Sequence, residues 1–248
     1  MTDPRHFPHL EAHLSQLRVS GLRVSGLFVF SLIIALWLGS PLAKAQDSKL
    51  LILGDSISAG YGINPDLGWV QLLAEKMQET HAGYQVVNGS ISGNTTADGL
   101  ARLPKLLDVH KPELVVIELG GNDGLRGYPL KIMRKNLVQL IEITRAANAQ
   151  VLLVGIEIPP NYGERYTKQF RATFQRVANE QEVALVPFIL EGVATNAEMM
   201  QDDGIHPTEM AQPQLLDNVW QYLEPMLANE YAKTREENKP QNSEAQMN

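Results

Sequence analysis

Between Gln46 and about Ala228, short apolar runs alternate with longer segments that carry apolar residues at helical spacing. The runs span three to six residues and are rich in Val, Ile and Leu, which is typical of strands buried on both faces. Parallel strands need a crossover connection, usually a helix, and helices that return over both faces bury such a sheet. The alternation therefore predicts one doubly wound α/β domain.

The predicted elements alternate along this part of the chain. Strands are predicted at Leu50–Leu53, Gln85–Val87, Leu114–Leu119, Val151–Ile156 and Ala184–Val186. Helices are predicted at Trp69–His81, Ala97–Val109, Leu130–Ala147, Tyr162–Gln181 and Pro207–Leu227. The second and third helices each place their apolar residues on one stripe, so each has a face with which to cover the sheet.

The N-terminal segment has the features of a secretory signal peptide. Arg18 and Arg23 precede an apolar run over residues 27–38, and Ala43-Lys44-Ala45 supplies the small residues of a cleavage site. The run is short for a membrane span, which needs about 20 residues, although an uncleaved N-terminal anchor stays open. The sequence predicts cleavage after about Ala45 and export, most simply to a bacterial periplasm.

The C-terminal segment from Asn229 to Asn248 is rich in charged side chains and poor in apolar ones. Such a segment cannot bury enough apolar surface to order itself. The predicted organisation is a signal peptide over residues 1–45, one domain over 46–228 and a polar disordered tail over 229–248.

Composition excludes several classes of function. The chain has no cysteine, which rules out a thiol nucleophile, disulfides and cysteine-ligated metals. Residues 1–45 contain four basic and two acidic side chains, so the mature chain would carry 17 basic and 26 acidic ones, a net charge of −9. An acidic protein without a basic stripe is a poor candidate for binding nucleic acid.

Four polar clusters fall where predicted strands end or where the last predicted helix begins. They are Gly54-Asp55-Ser56, residues 88–95, residues 120–124 and residues 202–207. Each alone passes as an ordinary turn, because Gly, Asn, Asp and Ser dominate turns. The carboxyl ends of parallel strands share one edge of the sheet, where ligands bind. Together the clusters supply a hydroxyl, backbone amides, a carboxamide, an imidazole and a carboxylate, the groups that acyl transfer uses.

His206 is the candidate general base among six histidines. The other five are His6, His9, His13, His81 and His110. The first three belong to the predicted signal peptide, and the last two close predicted helices, where a cation interacts favourably with the helix dipole. His206 alone lies in a polar cluster, although a histidine before Pro207 at a helix start is an ordinary arrangement as well. If a hydroxyl is deprotonated near neutral pH, His206 is the base that the sequence offers.

A carboxylate near His206 could orient its ring by accepting the second ring N–H. Asp203 and Asp202 compete for that role. The three-residue spacing to His206 favours Asp203, since it brings both side chains to one side of a turn. The other carboxylate could instead cap the last helix.

Negative charge that develops on a carbonyl oxygen needs donors already aimed at it. The candidate donors are the Ser56 N–H, the Gly93 N–H and the side-chain amide of Asn122. Turn geometry alone would also favour Gly93 and Asn122.

Two other routes to hydrolysis are weaker. Ser90 and Ser92 could act as nucleophiles, but their surroundings do not match the Gly-x-Ser-x-Gly elbow. A metal could be held by carboxylates and an imidazole, yet no His-x-x-x-His or comparable spacing occurs. The residues considered for such a site are Asp55, Asp123, Asp203 and His206.

In their order, the four clusters resemble the four blocks of the SGNH (GDSL-type) hydrolase superfamily, centred on Ser56, Gly93, Asn122 and His206. Within it the chain looks like a group of periplasmic enzymes with thioesterase, lysophospholipase and arylesterase activities. One departure is Asn94, where close relatives often carry Asp. The resemblance covers about Lys49 to Leu227.

The resemblance implies a flavodoxin-like three-layer α/β/α sandwich with about five parallel strands. It implies Ser56 as nucleophile, Asp203 and His206 as the other triad members, and Ser56, Gly93 and Asn122 as oxyanion donors. It also implies that neither a metal nor another cofactor is needed.

The expected function is that of a secreted serine esterase which hydrolyses acyl esters and thioesters through an acyl-enzyme. By the same resemblance, the loops at residues 124–130 and 158–163 wall the acyl site, and Leu125, Ile158 and Tyr162 contact the substrate. We expect a monomer whose partner is a small acyl ester or thioester, with membrane contact only through the signal segment or a lipid substrate. The alternatives are a carbohydrate O-deacetylase of the same superfamily and a non-catalytic flavodoxin-like binding domain.

Overall fold

The computed structural model describes residues 48–237, and the side chains of residues 48–228. The predicted signal peptide and residues 238–248 of the predicted tail lie outside the described residues.

Five strands form a single parallel sheet in the order β2-β1-β3-β4-β5. The strands are β1 (Ser48–Gly54), β2 (Tyr84–Asn88), β3 (Leu114–Glu118), β4 (Gln150–Val154) and β5 (Ala184–Val186). Every residue of β3 and the last five of β1 are buried, as expected for strands covered on both faces. The predicted α/β class is confirmed, and the strand order is that of a flavodoxin-like sheet.

Seven α-helices accompany the sheet within the described residues. They are α1 (Ser56–Ala59), α2 (Trp69–Thr80), α3 (Thr96–His110), α4 (Gly121–Leu125), α5 (Leu130–Ala146), α6 (Glu164–Gln181) and α7 (Gln212–Glu237). Helices α2 and α7 pack together as one layer, and α5 packs between α3 and α6 in the other. The leucines predicted to face the sheet in α3 are buried at Leu103 and Leu107 and half-buried at Leu100 and Leu106.

Three features of the fold differ from the sequence-based expectations. Helices α1 and α4 were not predicted, because four or five residues are too few to show a helical period. Helix α7 extends to Glu237, past the predicted domain end at Ala228. The residues beyond Ala228 include good helix formers such as Glu, Ala, Lys and Arg. A segment that is too polar to form a core can therefore still continue a helix.

Gly54 is required by close packing and not by the geometry of a turn. It is the last residue of β1, and its φ is not positive. A Cβ there would lie 2.6 Å from the Ser58 Cβ and 2.8 Å from Glu118 Oε2. Glycine is needed at this position because the backbone passes directly over two buried side chains.

The sheet has its topological switch point between β1 and β3, since the chain leaves these neighbouring strands towards opposite sides of the sheet. Such a point opens a crevice at the carboxyl edge. Ser56 follows β1 and Asn122 follows β3, so the fold brings two of the predicted site residues to this crevice. None of the helices between Ser48 and Glu237 combines the length and hydropathy that crossing a bilayer requires.

Candidate active site

Ser56 and His206 meet at the carboxyl edge of the sheet. Ser56 is the first residue of α1, and His206 lies in the loop between β5 and α7. Met200 and Pro207 form an antiparallel bridge that closes this loop, and the Gln201 N–H donates to the His206 carbonyl at 2.8 Å. The Ser56 Oγ lies 2.9 Å from His206 Nε2. The structure thus joins two residues that are 150 positions apart in the chain.

Asp203 holds the other side of the imidazole. Its Oδ2 lies 2.6 Å from His206 Nδ1, and its Oδ1 accepts from the backbone N–H groups of Ile205 (2.9 Å) and His206 (3.0 Å). Burial raises the pKa of Asp203, but hydrogen bonds from the His206 ring and from the two amides outweigh it and lower the pKa to about 2. An ionised carboxylate only accepts, so Nδ1 carries the ring proton and Nε2 is left to accept from Ser56.

Asp202 does not reach the ring. It is exposed and has no hydrogen bond to any residue that the structure describes. Of the two carboxylates that the sequence left in competition, Asp203 is therefore the one beside His206. Asp202 does not cap α7 either, because that helix begins beyond a short 3-10 turn at Glu209–Ala211.

Tyr61 packs against the His206 ring, with 4.5 Å between ring centroids. Its backbone N–H donates to the Ser56 carbonyl at 3.0 Å, and its carbonyl accepts from Gln201 Nε2 at 2.8 Å. The same Gln201 amide nitrogen donates to the Pro207 carbonyl. Tyr61 and Gln201 therefore connect the serine segment to the histidine loop, a role that no sequence pattern indicated.

Asp55 is a buried carboxylate directly beneath the serine. Its Oδ1 accepts from the Ile57 N–H at 3.1 Å, which caps α1, and its Oδ2 accepts from Asn122 Nδ2 at 3.2 Å. Burial raises the pKa of Asp55 to about 6. One side chain thus fixes both the helix that begins with Ser56 and the amide of Asn122. The sequence pattern indicates only a turn or a metal ligand at Asp55, although Asp is a preferred helix N-cap and is a signal for α1.

Glu118 is a second buried acid in this region, at the end of β3. Its Oε2 accepts from the Ser58 hydroxyl at 2.7 Å and from the Asp55 N–H at 3.3 Å, while its buried Oε1 has no hydrogen bond to the described residues. Burial, followed by the nearby negative charge of Asp55, raises the pKa of Glu118 well above its usual range. The signal for this residue in the sequence is a single acid within an otherwise apolar strand.

The loop that carries Gly93 is fastened beside the end of β1. The Ile91 N–H donates to the Gly54 carbonyl at 3.1 Å. Arg102 donates to the Asn94 Oδ1 at 2.7 Å, to the Gly54 carbonyl at 3.1 Å and to the Gly89 carbonyl. Gly93 has φ +80°, which favours glycine, and its carbonyl accepts from Arg126 at 3.0 Å. Asn94, the departure from the family pattern, thus serves as an acceptor for Arg102.

A cavity of about 320 Å³ opens beside Ser56 and Asn122. Its lining is largely apolar and includes Leu125, Ile156, Ile158, Phe188, Leu190 and Ile205. Leu125 and Ile158, two of the three predicted substrate contacts, are among the lining residues. Tyr162 is outside the lining, and its hydroxyl instead donates to the Leu125 carbonyl at 2.8 Å. The expectation that Tyr162 faces the substrate does not match this geometry, because the short 3-10 turn at Pro160–Tyr162 directs its hydroxyl to the Leu125 backbone.

The remaining candidates lie apart from this arrangement. Neither Ser90 nor Ser92 has a hydrogen bond to a histidine within residues 48–228. His110 ends α3 at the opposite edge of the sheet, and His81 follows the end of α2. Between Ser48 and Ala228 no group of three or more His, Asp or Glu side chains is arranged to hold a metal.

Comparison with known proteins gives the class of this protein, a serine hydrolase that acts on carboxylic esters. Residues 52–212 match the model of the GDSL-like Lipase/Acylhydrolase family. The chain belongs to this family.

Individual relatives agree with this assignment. The chain is 53% identical over 194 residues to the Esterase TesA of Pseudomonas aeruginosa, covering 78% of this chain and 96% of that protein. It is 47% identical over 185 residues to the Thioesterase 1/protease 1/lysophospholipase L1 of Escherichia coli, covering 75% and 87%. Among solved structures, it is similar to the psychrotrophic esterase EstA from Pseudoalteromonas inhibited by monoethylphosphonate. That similarity has a TM-score of 0.70 and 41% identity, covering 73% of this chain and all of the other.

Proposed function

We propose that this chain is an exported esterase that cleaves acyl esters and thioesters through an acyl-enzyme on Ser56. The observation that carries the proposal is the continuous series of hydrogen bonds from Asp203 Oδ2 through the His206 ring to the Ser56 Oγ, at 2.6 and 2.9 Å. The series ends at the mouth of an apolar cavity. These are the parts that an activated serine nucleophile requires.

The first half of the reaction forms the acyl-enzyme. The Ser56 oxygen attacks the carbonyl carbon of the substrate while His206 Nε2 takes the hydroxyl proton. The tetrahedral intermediate then breaks its bond to the leaving oxygen or sulfur, which receives that proton from His206. Asp203, ionised because its pKa is about 2, holds the Nδ1 proton and balances the charge of the imidazolium.

The second half returns the enzyme to its starting state. A water molecule attacks the acyl ester as His206 takes one of its protons. The new intermediate expels the Ser56 oxygen, which receives the proton, and the fatty or other carboxylic acid leaves. One ester and one water are consumed, and one acid and one alcohol or thiol are produced.

The negative oxygen of each intermediate needs donors, and the proposed ones are the Ser56 N–H, the Gly93 N–H and Asn122 Nδ2. Asn122 has two amide protons, and Asp55 accepts one of them. That bond uses one of the two protons and leaves the second for the oxygen of the substrate. The Ser56 N–H is at the first turn of α1, where backbone N–H groups are unpaired.

The lining of the cavity supports an acyl chain as the group that is bound. Apolar side chains at Leu125, Ile158 and Phe188 would release water around an acyl chain. Comparing p-nitrophenyl esters from acetate to long acyl groups tests this. A rise in kcat/KM with chain length is expected, and a preference for acetate alone, with acetate released from acetylated glycans, would point to the carbohydrate deacetylase.

Export and domain organisation are also part of the proposal. The signal peptide over residues 1–45, the catalytic domain from 46 to about 228, and a monomeric state rest on the sequence. Mass spectrometry of the protein recovered from the periplasm should give a chain that begins at Gln46. A chain that retains residue 1 would indicate an uncleaved anchor.

The experiment that tests the proposed nucleophile is the turnover of a p-nitrophenyl ester by Ser56→Ala. We expect turnover to vanish while the circular dichroism spectrum is unchanged. Ser92→Ala, a change at an exposed serine in a neighbouring loop, is the matched control and should retain wild-type turnover. Undiminished turnover by Ser56→Ala, or an enzyme that fluorophosphonate does not label, would favour the non-catalytic domain or another nucleophile.

A further inference from the structure

Exposed large apolar side chains are concentrated at one end of the molecule. Of the eight such side chains in residues 48–228, seven follow the carboxyl end of a strand and precede or begin the next long helix. These seven are Tyr61, Leu67, Ile91, Tyr128, Ile132, Tyr162 and Met210. Each of the five strands is followed by at least one of them. The eighth, Val109, is next to the end of α3 and therefore at the opposite edge of the sheet.

Single exposed apolar residues are common, but the collection of these seven at one edge of the sheet, here called the apolar rim, indicates a contact surface. The cavity beside Ser56 lies at the same edge. Leu125 lines this cavity, and Tyr128 follows it by three residues. The apolar rim and the mouth of the cavity therefore face the same side of the protein.

One sector of this rim, the segment from Arg126 to Lys135, is also positively charged. It contains four basic residues and no acidic one, in a chain whose net charge is −7. Arg134 pairs with Glu180, whereas Lys131 and Lys135 are exposed and form no ion pair with a described residue. Lys131 and Lys135 are one helical turn apart in α5, so they project from the same side of the helix.

The 126–135 segment is held firmly in this position. Arg126 donates to the Gly93 carbonyl at 3.0 Å, and the Tyr128 carbonyl accepts from the Tyr166 hydroxyl at 3.0 Å. The side chains of Tyr128 and Ile132 are nevertheless 44% and 51% exposed. The backbone is thus fixed while an aromatic ring and an aliphatic side chain are presented to the surroundings beside basic groups.

We propose that the 126–135 segment docks the protein on the surface of an anionic phospholipid bilayer, with the cavity mouth towards the lipid. Tyr128 and Ile132 would enter the headgroup region, where amphipathic and apolar side chains are stabilised, and Arg126, Lys131 and Lys135 would lie against the phosphates. The rest of the acidic protein is repelled by such a surface, which leaves this face as the one that approaches. The docking site does not depend on catalysis, but its use in substrate capture rests on the proposed function.

Vesicle flotation with the full chain in the Ser56→Ala background tests the proposal without hydrolysis of the lipid. The probes are vesicles of phosphatidylcholine alone and of phosphatidylcholine with phosphatidylglycerol. We expect binding to the anionic vesicles that weakens with added salt. Lys131→Gln and Lys135→Gln should each weaken it about fivefold, and Tyr128→Asp with Ile132→Asp should abolish it.

Val109→Asp is the control for added charge, since it places one aspartate on an exposed apolar site at the opposite edge, as Ile132→Asp alone does in the 126–135 segment. It should bind as the parent does. Absence of binding to anionic vesicles, or an equal loss in Val109→Asp, would overturn the proposal. So would a size-exclusion result in which Ile132→Asp converts a dimer to a monomer, because the surface would then be occupied by a second copy of the chain.

The docking proposal and the proposed function fail separately. Tyr128 and Ile132 neither line the cavity nor contact Ser56, His206 or Asn122 through a hydrogen bond. In the Ser56-containing enzyme, their aspartate variants should hydrolyse a short soluble p-nitrophenyl ester at the wild-type rate. If the aspartate variants lose vesicle binding but keep the wild-type rate of ester hydrolysis, the docking proposal is supported. If the enzyme with Ser56 does not hydrolyse the ester but still binds vesicles, only the proposed esterase function is wrong.

Discussion

Asp203 and Asp55 are both next to the Ser56–His206 pair: Asp203 contacts the imidazole, and Asp55 directly precedes the serine. Their surroundings differ. Asp203 is on a loop, with 39% of its side chain exposed, and three hydrogen bonds lower its pKa to about 2. Asp55 is 2% exposed beneath the serine, and burial raises its pKa to about 6. The same residue type thus yields one carboxylate that is always charged and one that is close to protonation near neutral pH.

The difference shows that the surroundings of an aspartate decide its role in the site. A permanent charge beside His206 suits the stabilisation of a transient imidazolium. A buried carboxylate is costly to ionise, so it is retained where its hydrogen bonds hold geometry, here the α1 N-terminus and the Asn122 amide. Asp203 therefore compensates charge, whereas Asp55 positions the serine and the Asn122 amide.

The largest expected effect is that of Asp203→Asn. The amide can donate to Nδ1, which favours the tautomer with the proton on Nε2, where it cannot accept from Ser56. We expect kcat to fall about 10⁴-fold, measured with a p-nitrophenyl ester. Asp202→Asn changes the neighbouring exposed carboxylate and should have no effect. Equal losses in the two variants would show that general charge near the loop, not the bond to His206, is what matters.

The next effect concerns Asp55 and Asn122 as a pair. Asn122→Ala should lower kcat by about 10²–10³, the cost of one oxyanion donor. Asp55→Asn should lower kcat by no more than that, because it acts by releasing the amide of Asn122. In the Asn122→Ala background, Asp55→Asn should therefore cost little further. A full additional loss in the double variant would mean that Asp55 acts mainly through α1 and the serine.

The pH dependence of stability should have opposite signs for the two aspartates. Asp203 has a folded pKa of about 2, below its ordinary 3.8, so its contribution is present above pH 4 and is lost as pH falls towards 2. Asp55 has a folded pKa of about 6, above 3.8, so the folded state binds the extra proton, and stability falls as pH rises from about 4 to 6. For Asp55 the change is on the order of 2–3 kcal/mol.

Urea unfolding from pH 2 to pH 7 measures both contributions against the wild type. Asp55→Asn should flatten the decline between pH 4 and 6, and Asp203→Asn should flatten the loss at the acid end. If both variants changed the free energy of unfolding in the same pH range, the opposite pKa shifts assigned to the two aspartates would be wrong.

The smallest effect is expected away from both carboxylates. Tyr162→Phe removes the hydrogen bond that the Tyr162 hydroxyl donates to the Leu125 carbonyl and so loosens one wall of the cavity. A single hydrogen bond of this kind changes an equilibrium about fivefold. We expect a change of that size in KM for long acyl esters, with kcat for a short ester and both pH signatures unaltered. A uniform loss across all chain lengths would place Tyr162 in the catalytic geometry instead.

The sequence was sufficient for the α/β class, for the five strands and for the expectation that Ser56 and His206 lie at one edge of the sheet. Apolar strands report their burial directly, and the edge rule for parallel sheets then brings the polar clusters together. Asp55 and Glu118 could not be assigned in the same way, because their roles arise from burial under α1 and from partners that are distant in sequence. Tyr162 is outside the cavity lining because of the short 3-10 turn at Pro160–Tyr162. A turn of three residues is too short to show a periodic pattern in the sequence.

The most direct test of the account is to locate the residue that a fluorophosphonate modifies. The intact protein is treated with the reagent, digested and analysed by mass spectrometry, with Ser56→Ala treated in parallel. The account predicts one adduct on the peptide that contains Ser56, slower labelling in Asp203→Asn and none in Ser56→Ala. An adduct on Ser90 or Ser92, or equal labelling of Ser56→Ala, would contradict it.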